Sequence, residues 1–165
     1  MMLRIAGLVE ESYVDGDGCR FSVFVQGCHR HCLGCHNPET QPFDRGKEID
    51  TQDILKKIDE NPLLAGITFS GGEPFCQPSP LAILAKAVHG RGLDVWAYTG
   101  NTLEELMAMK DGDVNSLLRE VDVLVDGEFI LAQRDLTLKF RGSRNQRVID
   151  MNATRKEGRV TLKYA

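Results

Sequence analysis

The chain has 165 residues, 42% of them hydrophobic and 27% charged, with a formal net charge of -4. That length and mix suit one domain, 1–165, with a core of its own, and exclude disordered, collagen-like and fibrous classes for the whole chain. No apolar run approaches the ~20 residues of a membrane-spanning helix, and the acidic balance argues against non-specific nucleic-acid binding, so neither a membrane nor a nucleic acid is expected as partner. The opening apolar stretch, Met1 to Gly7, is too short for a signal peptide and is followed by Glu10, Glu11 and Asp15. The expected location is cytoplasmic.

Leu3 to Val9 is apolar and β-prone. Phe21 to Val25 alternates like a strand and runs into Gly27 and a group of cysteines. Thr51 is placed to cap a helix with Ile54, Leu55 and Ile58 on one face, ended by Asn61-Pro62. Gly66 to Ser70 reads as a buried strand, followed by Gly71-Gly72-Glu73-Pro74. Pro80 suits a first helical turn, and Leu81, Leu84, Ala85 and Val88 follow at helical spacing until Gly92. Leu93 to Tyr98 is a further strand closing on Thr99-Gly100-Asn101. Thr102 and Glu105 have capping-box spacing for a third helix. Val121 to Val125 is a strand ending at Asp126.

This alternation predicts an α/β fold with a mostly parallel sheet, whose ligands bind beyond the carboxyl ends of the strands. Four features fall at such ends: the cysteine loop after Val25, Gly71-Gly72-Glu73, Thr99-Gly100, and Asp126. The last third differs. Leu136 to Phe140 and Val160 to Tyr164 read as strands, and Arg134 to Lys163 holds nine Lys/Arg against three Asp/Glu. Such a stretch is either a solvated basic face or an anion or partner contact.

Of five cysteines, Cys28, Cys32 and Cys35 are clustered at C-x3-C-x2-C spacing, while Cys19 and Cys76 stand apart. Clustered cysteines in a reducing compartment bind metal or do redox chemistry more often than they form disulfides. Iron–sulfur clusters usually take four cysteines. Three would leave one iron of a four-iron cluster open, and an open position marks a reactive metal site. The residues leave other readings: zinc completed by His29, His31 or His36; buried thiols on a helix face; or a closed cluster with Cys76 or Cys19 as fourth ligand.

The spacing, together with Ser70-Gly71-Gly72-Glu73-Pro74, resembles the radical S-adenosylmethionine (SAM) superfamily. Phe24-Val25-Gln26-Gly27-Cys28, Gly34 to Thr40, Trp96 to Gly100, Val123 to Gly127 and Phe140 to Arg147 extend the likeness to the activating proteins of anaerobic (class III) ribonucleoside-triphosphate reductases. The resemblance implies a truncated, partial (β/α) barrel with a β-rich C-terminal tail. It implies that Cys28, Cys32 and Cys35 hold a 4Fe-4S cluster and that SAM chelates the open iron. Gly71, Gly72 and Glu73 would line the methionine end, and backbone at Gly34, Cys35 and His36 the adenine side. Many superfamily members carry an aromatic residue before the third cysteine; here Gly34 stands there and the ring follows as His36. Thr99 and Asp126 would contact methionine or ribose.

The implied reaction is reductive cleavage of SAM to methionine and a 5′-deoxyadenosyl radical. That radical takes a glycine Cα hydrogen and installs a glycyl radical on the anaerobic ribonucleoside-triphosphate reductase. Reduced flavodoxin or a ferredoxin-type protein would supply the electron. The basic tail, with Arg141, Arg144 and Arg147, would dock the reductase or order the edge of the site. Two other classes stand beside this reading: a radical SAM enzyme acting on a small metabolite, like 7-carboxy-7-deazaguanine synthase, and a non-enzymatic zinc or iron–sulfur module.

Overall fold

The computed structural model describes residues 1–30, 32, 34, 35 and 38–164. Its elements, in chain order, are β1 (Met2–Ser12), β2 (Arg20–Val25), β3 (Lys47–Asp50), α1 (Thr51–Asp59), β4 (Gly66–Gly71), α2 (Pro78–His89), β5 (Asp94–Tyr98), α3 (Leu103–Ala108), α4 (Gly112–Glu120), β6 (Val123–Asp126), β7 (Arg147–Asp150), α5 (Met151–Glu157) and β8 (Leu162–Tyr164). One sheet runs in the order β3-β1-β2-β4-β5-β6-β7-β8. Its centre, β2-β4-β5-β6, is parallel, as the alternation predicts. Both flanks are antiparallel. Register sets Val25 beside Gly71 and Tyr98 beside Val125, so the central strands end together.

The period of two divides the sheet into two unlike faces. Phe21, Val23, Val25, Ile67, Phe69, Val95, Ala97, Leu124 and Ile149 point to one side and form a continuous core with the helices. Ile54 and Ile58 of α1, Leu81, Leu84 and Val88 of α2, Leu106 of α3, Leu117 of α4 and Met151 of α5 fill it. The other face carries buried polar side chains beside a smaller apolar cluster. Arg20, Ser22 and Thr68 lie on it fully buried, with Trp96, Val123, Val125 and Val148.

A buried arginine must be fully paired to be tolerated. Arg20 donates to Thr68 Oγ1 (2.7 Å), Asp17 O (2.9 Å), Ile67 O (2.8 Å) and Asp94 Oδ1 (2.6 Å), and its guanidinium lies 5.4 Å from the Trp96 ring centre. It seals the amino-terminal end of the polar face, opposite the cysteines.

Several expected boundaries shift. Asp50 rather than Thr51 caps α1, its carboxylate accepting from Gln52 N; Thr51 is the first helical residue and is buried. α2 begins at Pro78, two residues before Pro80. The Thr102–Glu105 capping box forms as expected. β3, α4, β7 and α5 were not legible: β3 and β7 are four residues each, too short to show a period, and α4 opens on Gly112.

Leu136 to Phe140 is not a strand. Asp135 Oδ1 accepts from Thr137 N (2.9 Å) and Thr137 Oγ1 (2.6 Å), the local bond by which aspartate forms turns. Phe140 then adopts φ 57° and sets its ring edge-on to Trp96 at 5.2 Å. The segment thus folds over the polar face as a lid instead of extending the sheet.

At the end of the sheet remote from the cysteines, His89 closes α2 by bridging Glu120 Oε2 (2.9 Å) and Asp122 Oδ2 (2.8 Å). Burial opposes its charge, but the hydrogen bonds to Asp122 and Glu120 outweigh that and raise its pKa above the ordinary 6.5. A raised folded-state pKa means stability that is fully present below pH 6.5 and lost as pH rises through the raised value. Chemical denaturation of the wild type between pH 6 and 9 should therefore show a falling midpoint in that window, and His89→Gln should flatten it.

Candidate active site

The peptide after β2 is stitched to the turn after β4. Gly72 N donates to Val25 O (2.8 Å) and Glu73 N to Gly27 O (2.7 Å). These bonds need close backbone approach. Gly71 has φ 92°, and a Cβ there would lie 2.7 Å from Val25 N and O; one on Gly72 would strike the Gly27 carbonyl. The space a Cβ would take at these glycines is filled by the protein's own backbone, while both residues still line the cavity described below. The other side of the cysteine loop is held by Gly27 N to Thr40 O (2.7 Å) and Cys28 N to Gln41 O (2.9 Å), with buried Gln26 donating to Glu39 O at 3.1 Å. The Phe43 ring occupies the place of a Gly27 side chain and stacks on His29.

A cavity of about 150 Å³ opens above these strand ends. Cys28, Cys32 and Cys35 line it together with Gly71, Gly72, Glu73 and Thr99. Tyr98, Arg30, Phe129 and Gln146 complete its wall. Cys35 N donates to Cys32 O (3.1 Å), so the last two cysteines share one tight turn. Gly34, at φ 76°, packs on Leu131 and Phe129 beside the cavity without lining it. His36, like the zinc candidate His31, lies outside the described residues.

Glu73 is 5% exposed and well held. Its carboxylate accepts from Phe75 N (3.1 Å), Gly100 N (2.8 Å) and Thr99 Oγ1 (3.0 Å). Burial raises its pKa and these bonds oppose the rise. Thr99 is thereby committed to Glu73, and its Oγ1 also accepts from Asn101 N (3.0 Å). Tyr98 was overlooked in the sequence because it reads as the last residue of a strand. Burial, aided by Asp15, pushes its phenol well above the ordinary tyrosine range, so it stays neutral.

Asp126 does not reach the cavity. It is 1% exposed, and its carboxylate accepts from Leu103 N (2.8 Å) and pairs with Arg147, which also binds Glu104 Oε2 (2.8 Å). The Arg141-Gly142-Ser143-Arg144-Asn145-Gln146-Arg147 stretch serves the same edge. Gln146 Nε2 donates to Gly127 O (3.0 Å), Asn145 Nδ2 to Glu128 O (2.7 Å), and Arg141 Nη1 to Gln146 O (2.6 Å). These residues order the wall of the site; Arg144 faces outward.

The donor set fits an iron–sulfur cluster. Burial raises the pKa of Cys28 and of Cys32, and the charges of Glu73 at Cys28 and Glu128 at Cys32 raise them further. Three thiolates there need a cationic occupant. Among the described residues no three His, Cys, Asp or Glu converge on a single-ion position. A four-iron cube takes each thiolate on its own iron, so its ligands stand around it rather than at one point. Cys19 is at the amino end of β2 and buried in the core, so it is no fourth ligand. Cys76, half-buried and pushed up to about 11 by burial and then by Glu73, follows Glu73 but does not line the cavity.

Two substitutions test this framework. Gly72→Ala should cost about 1–3 kcal/mol in thermal or urea unfolding, because the added methyl has only backbone to displace. Arg147→Ala should cost about 3 kcal/mol by leaving the buried Asp126 carboxylate without its cation.

Residues 14–149 match the 4Fe-4S single cluster domain family. The anaerobic ribonucleoside-triphosphate reductase-activating protein of Vibrio cholerae is 38% identical over 143 residues, covering 81% of this chain and 88% of the relative. That of Escherichia coli K12 is 36% identical over 144 residues, covering 81% and 89%. The pyruvate formate-lyase-activating enzyme of Clostridium pasteurianum is 36% identical over 120 residues, covering 67% of this chain and 50% of the relative. Among solved structures, QueE from Escherichia coli aligns over 62% of this chain and 54% of its own, with a TM-score of 0.49 and 18% identity. With most of both lengths matched at such identity, the chain belongs to the anaerobic ribonucleoside-triphosphate reductase-activating protein family.

Proposed function

We propose that this chain is a radical SAM activating enzyme that installs a glycyl radical on an anaerobic ribonucleoside-triphosphate reductase. The observation that carries the reading is the meeting of Cys28, Cys32 and Cys35 with Gly71-Gly72-Glu73 in one cavity at the carboxyl ends of parallel strands. When bound, the 4Fe-4S cluster supplies one electron, and SAM supplies the radical that takes a hydrogen atom from the glycine Cα.

The chain's own part is holding, orienting and drying. Cys28, Cys32 and Cys35 hold three irons and leave the fourth for SAM. Main-chain carbonyls at Gly71 and Gly72 would accept from the SAM ammonium, and the buried Glu73 carboxylate, fixed by Thr99 and Gly100 N, would supply the compensating negative field. Cys35 would border the adenine with Gly34 beside it, and His36, the third position the resemblance implies, lies outside the described residues. Asp126 acts at a distance, tying the start of α3 to Arg147.

A second chamber of about 550 Å³ lies between the polar sheet face and the folded-over 129–146 segment, sharing Ser70, Tyr98, Phe129 and Gln146 with the cysteine cavity. It gives the partner's glycine-bearing segment a covered approach, and a covered site keeps water from a radical. The polar face is read as the inside of a truncated (β/α) barrel formed by one domain, 1–165. Outward-facing Arg144 is left to meet the reductase. Reduced flavodoxin or a ferredoxin-type protein is the donor, and the cytoplasm the compartment. Among the described residues, no helix is long and apolar enough to cross a membrane.

Electron paramagnetic resonance on anaerobically reconstituted, reduced protein tests the reading. A reduced-cluster signal that changes on adding SAM, followed by a glycyl radical signal when the reductase is present, is expected. Cys28→Ala, Cys32→Ala or Cys35→Ala should abolish the cluster signal. A signal indifferent to SAM, or zinc in place of iron, would refute it.

A further inference from the structure

Glu128 has a place that the reaction as outlined does not use. It follows the Asp126-Gly127 turn, and its Oε1 lies 3.9 Å from Cys32 Sγ. Its other oxygen, Oε2, accepts from Arg30 Nη1 at 3.2 Å. Arg30, inside the cysteine loop, also reaches Asn101 Oδ1 (3.1 Å) and Glu105 Oε2 (3.4 Å). The backbone on either side is fixed: Gly127 N donates to Asn101 O (2.8 Å), and Asn145 Nδ2 to Glu128 O (2.7 Å). A charged carboxylate is therefore held against one thiol of the set by a network that includes the loop itself.

The charges do not cancel. Arg30 brings one positive charge, while Glu128, Glu105 and the buried Glu73 bring three negative ones around the same loop. A negative charge beside a cluster ligand disfavours the added electron, since net charge and the groups near the sulfurs set a cluster's potential. We infer that Glu128 is a positioning residue of electrostatic kind: held by Arg30 beside Cys32, it lowers the reduction potential of the cluster. The inference rests on the reading that Cys32 binds the cluster. Its chemical sense is that a low potential makes the reduced cluster a stronger donor to the sulfonium.

Redox titration of the reconstituted full-length protein, followed by electron paramagnetic resonance, is the test. Glu128→Gln should load iron and sulfide as the wild type does. Its oxidised-to-reduced ratio at a fixed potential should fall about tenfold, a midpoint rise of about 59 mV for a one-electron couple. Glu128→Asp, which keeps the charge, should return most of the shift. Glu128→Ala, which removes the carboxylate without leaving an amide beside Cys32, should raise the midpoint in the same direction and gives an independent reading where Glu128→Gln loads poorly. A fully loaded Glu128→Gln protein with an unmoved midpoint overturns the inference and leaves the cluster assignment standing. A wild-type protein that takes up no cluster defeats the assignment itself.

Discussion

The structure depends on main chain meeting main chain where two parallel strands end. Gly72 N on Val25 O and Glu73 N on Gly27 O join the root of the cysteine loop to the root of the Glu73 turn. Neither contact survives a side chain at Gly72, whose Cβ would enter the Gly27 carbonyl. Because the bonds are short and local, they fix the start of the cysteine loop, and with it Cys28, against the Glu73 turn. The parallel register of β2, β4 and β5 then brings Thr99 and Gly100 N to the same carboxylate from the third strand.

From that junction the wall is built outward by side chains that hold one another and the backbone. Asp126 and Arg147 pair across the β6–β7 edge, and Gln146 and Asn145 hold the Gly127 and Glu128 carbonyls. The arginine-rich stretch thus spends two of its three arginines, Arg141 and Arg147, inside the fold. Its basic charge, which in one dimension reads as a surface for a partner, is in three dimensions largely the complement of Asp126, Glu104 and a backbone carbonyl. Phe140, turned by its positive φ onto Trp96, closes the same segment over the polar sheet face.

The parallel centre and the strand-end location of the site were legible because both come from local periodicity and turn chemistry. Phe21 to Val25 and Gly66 to Ser70 alternate with apolar helices, and Cys28-x3-Cys32-x2-Cys35 has few other uses. What escaped was whatever depends on distant partners. Arg20 looks like an ordinary strand-edge arginine until Asp94, 74 residues on, and Thr68 enclose it. Thr99 lines the cavity as expected and also orients Glu73, whereas Asp126, expected at the ligand, is spent on Leu103 N and Arg147. Leu136 to Phe140 has strand-like spacing, and a single Asp135 carboxylate is enough to curl it.

Electrostatics link the framework to its occupant. Glu73 is buried within the same wall as Cys28, and Glu128 stands beside Cys32, so thiolates form there only against two carboxylates. Arg30 offsets part of this charge, and its chain passes so close to Gly100 that a side chain there would collide with it. The remainder calls for a cation. A bound iron–sulfur core would bring positive charge to the thiolates, and a sulfonium-bearing ligand with a free ammonium would add more. The arrangement that destabilises the unoccupied thiolates is therefore the same one that favours the cationic ligand, since each buried negative charge lowers its cost only when that ligand is in place.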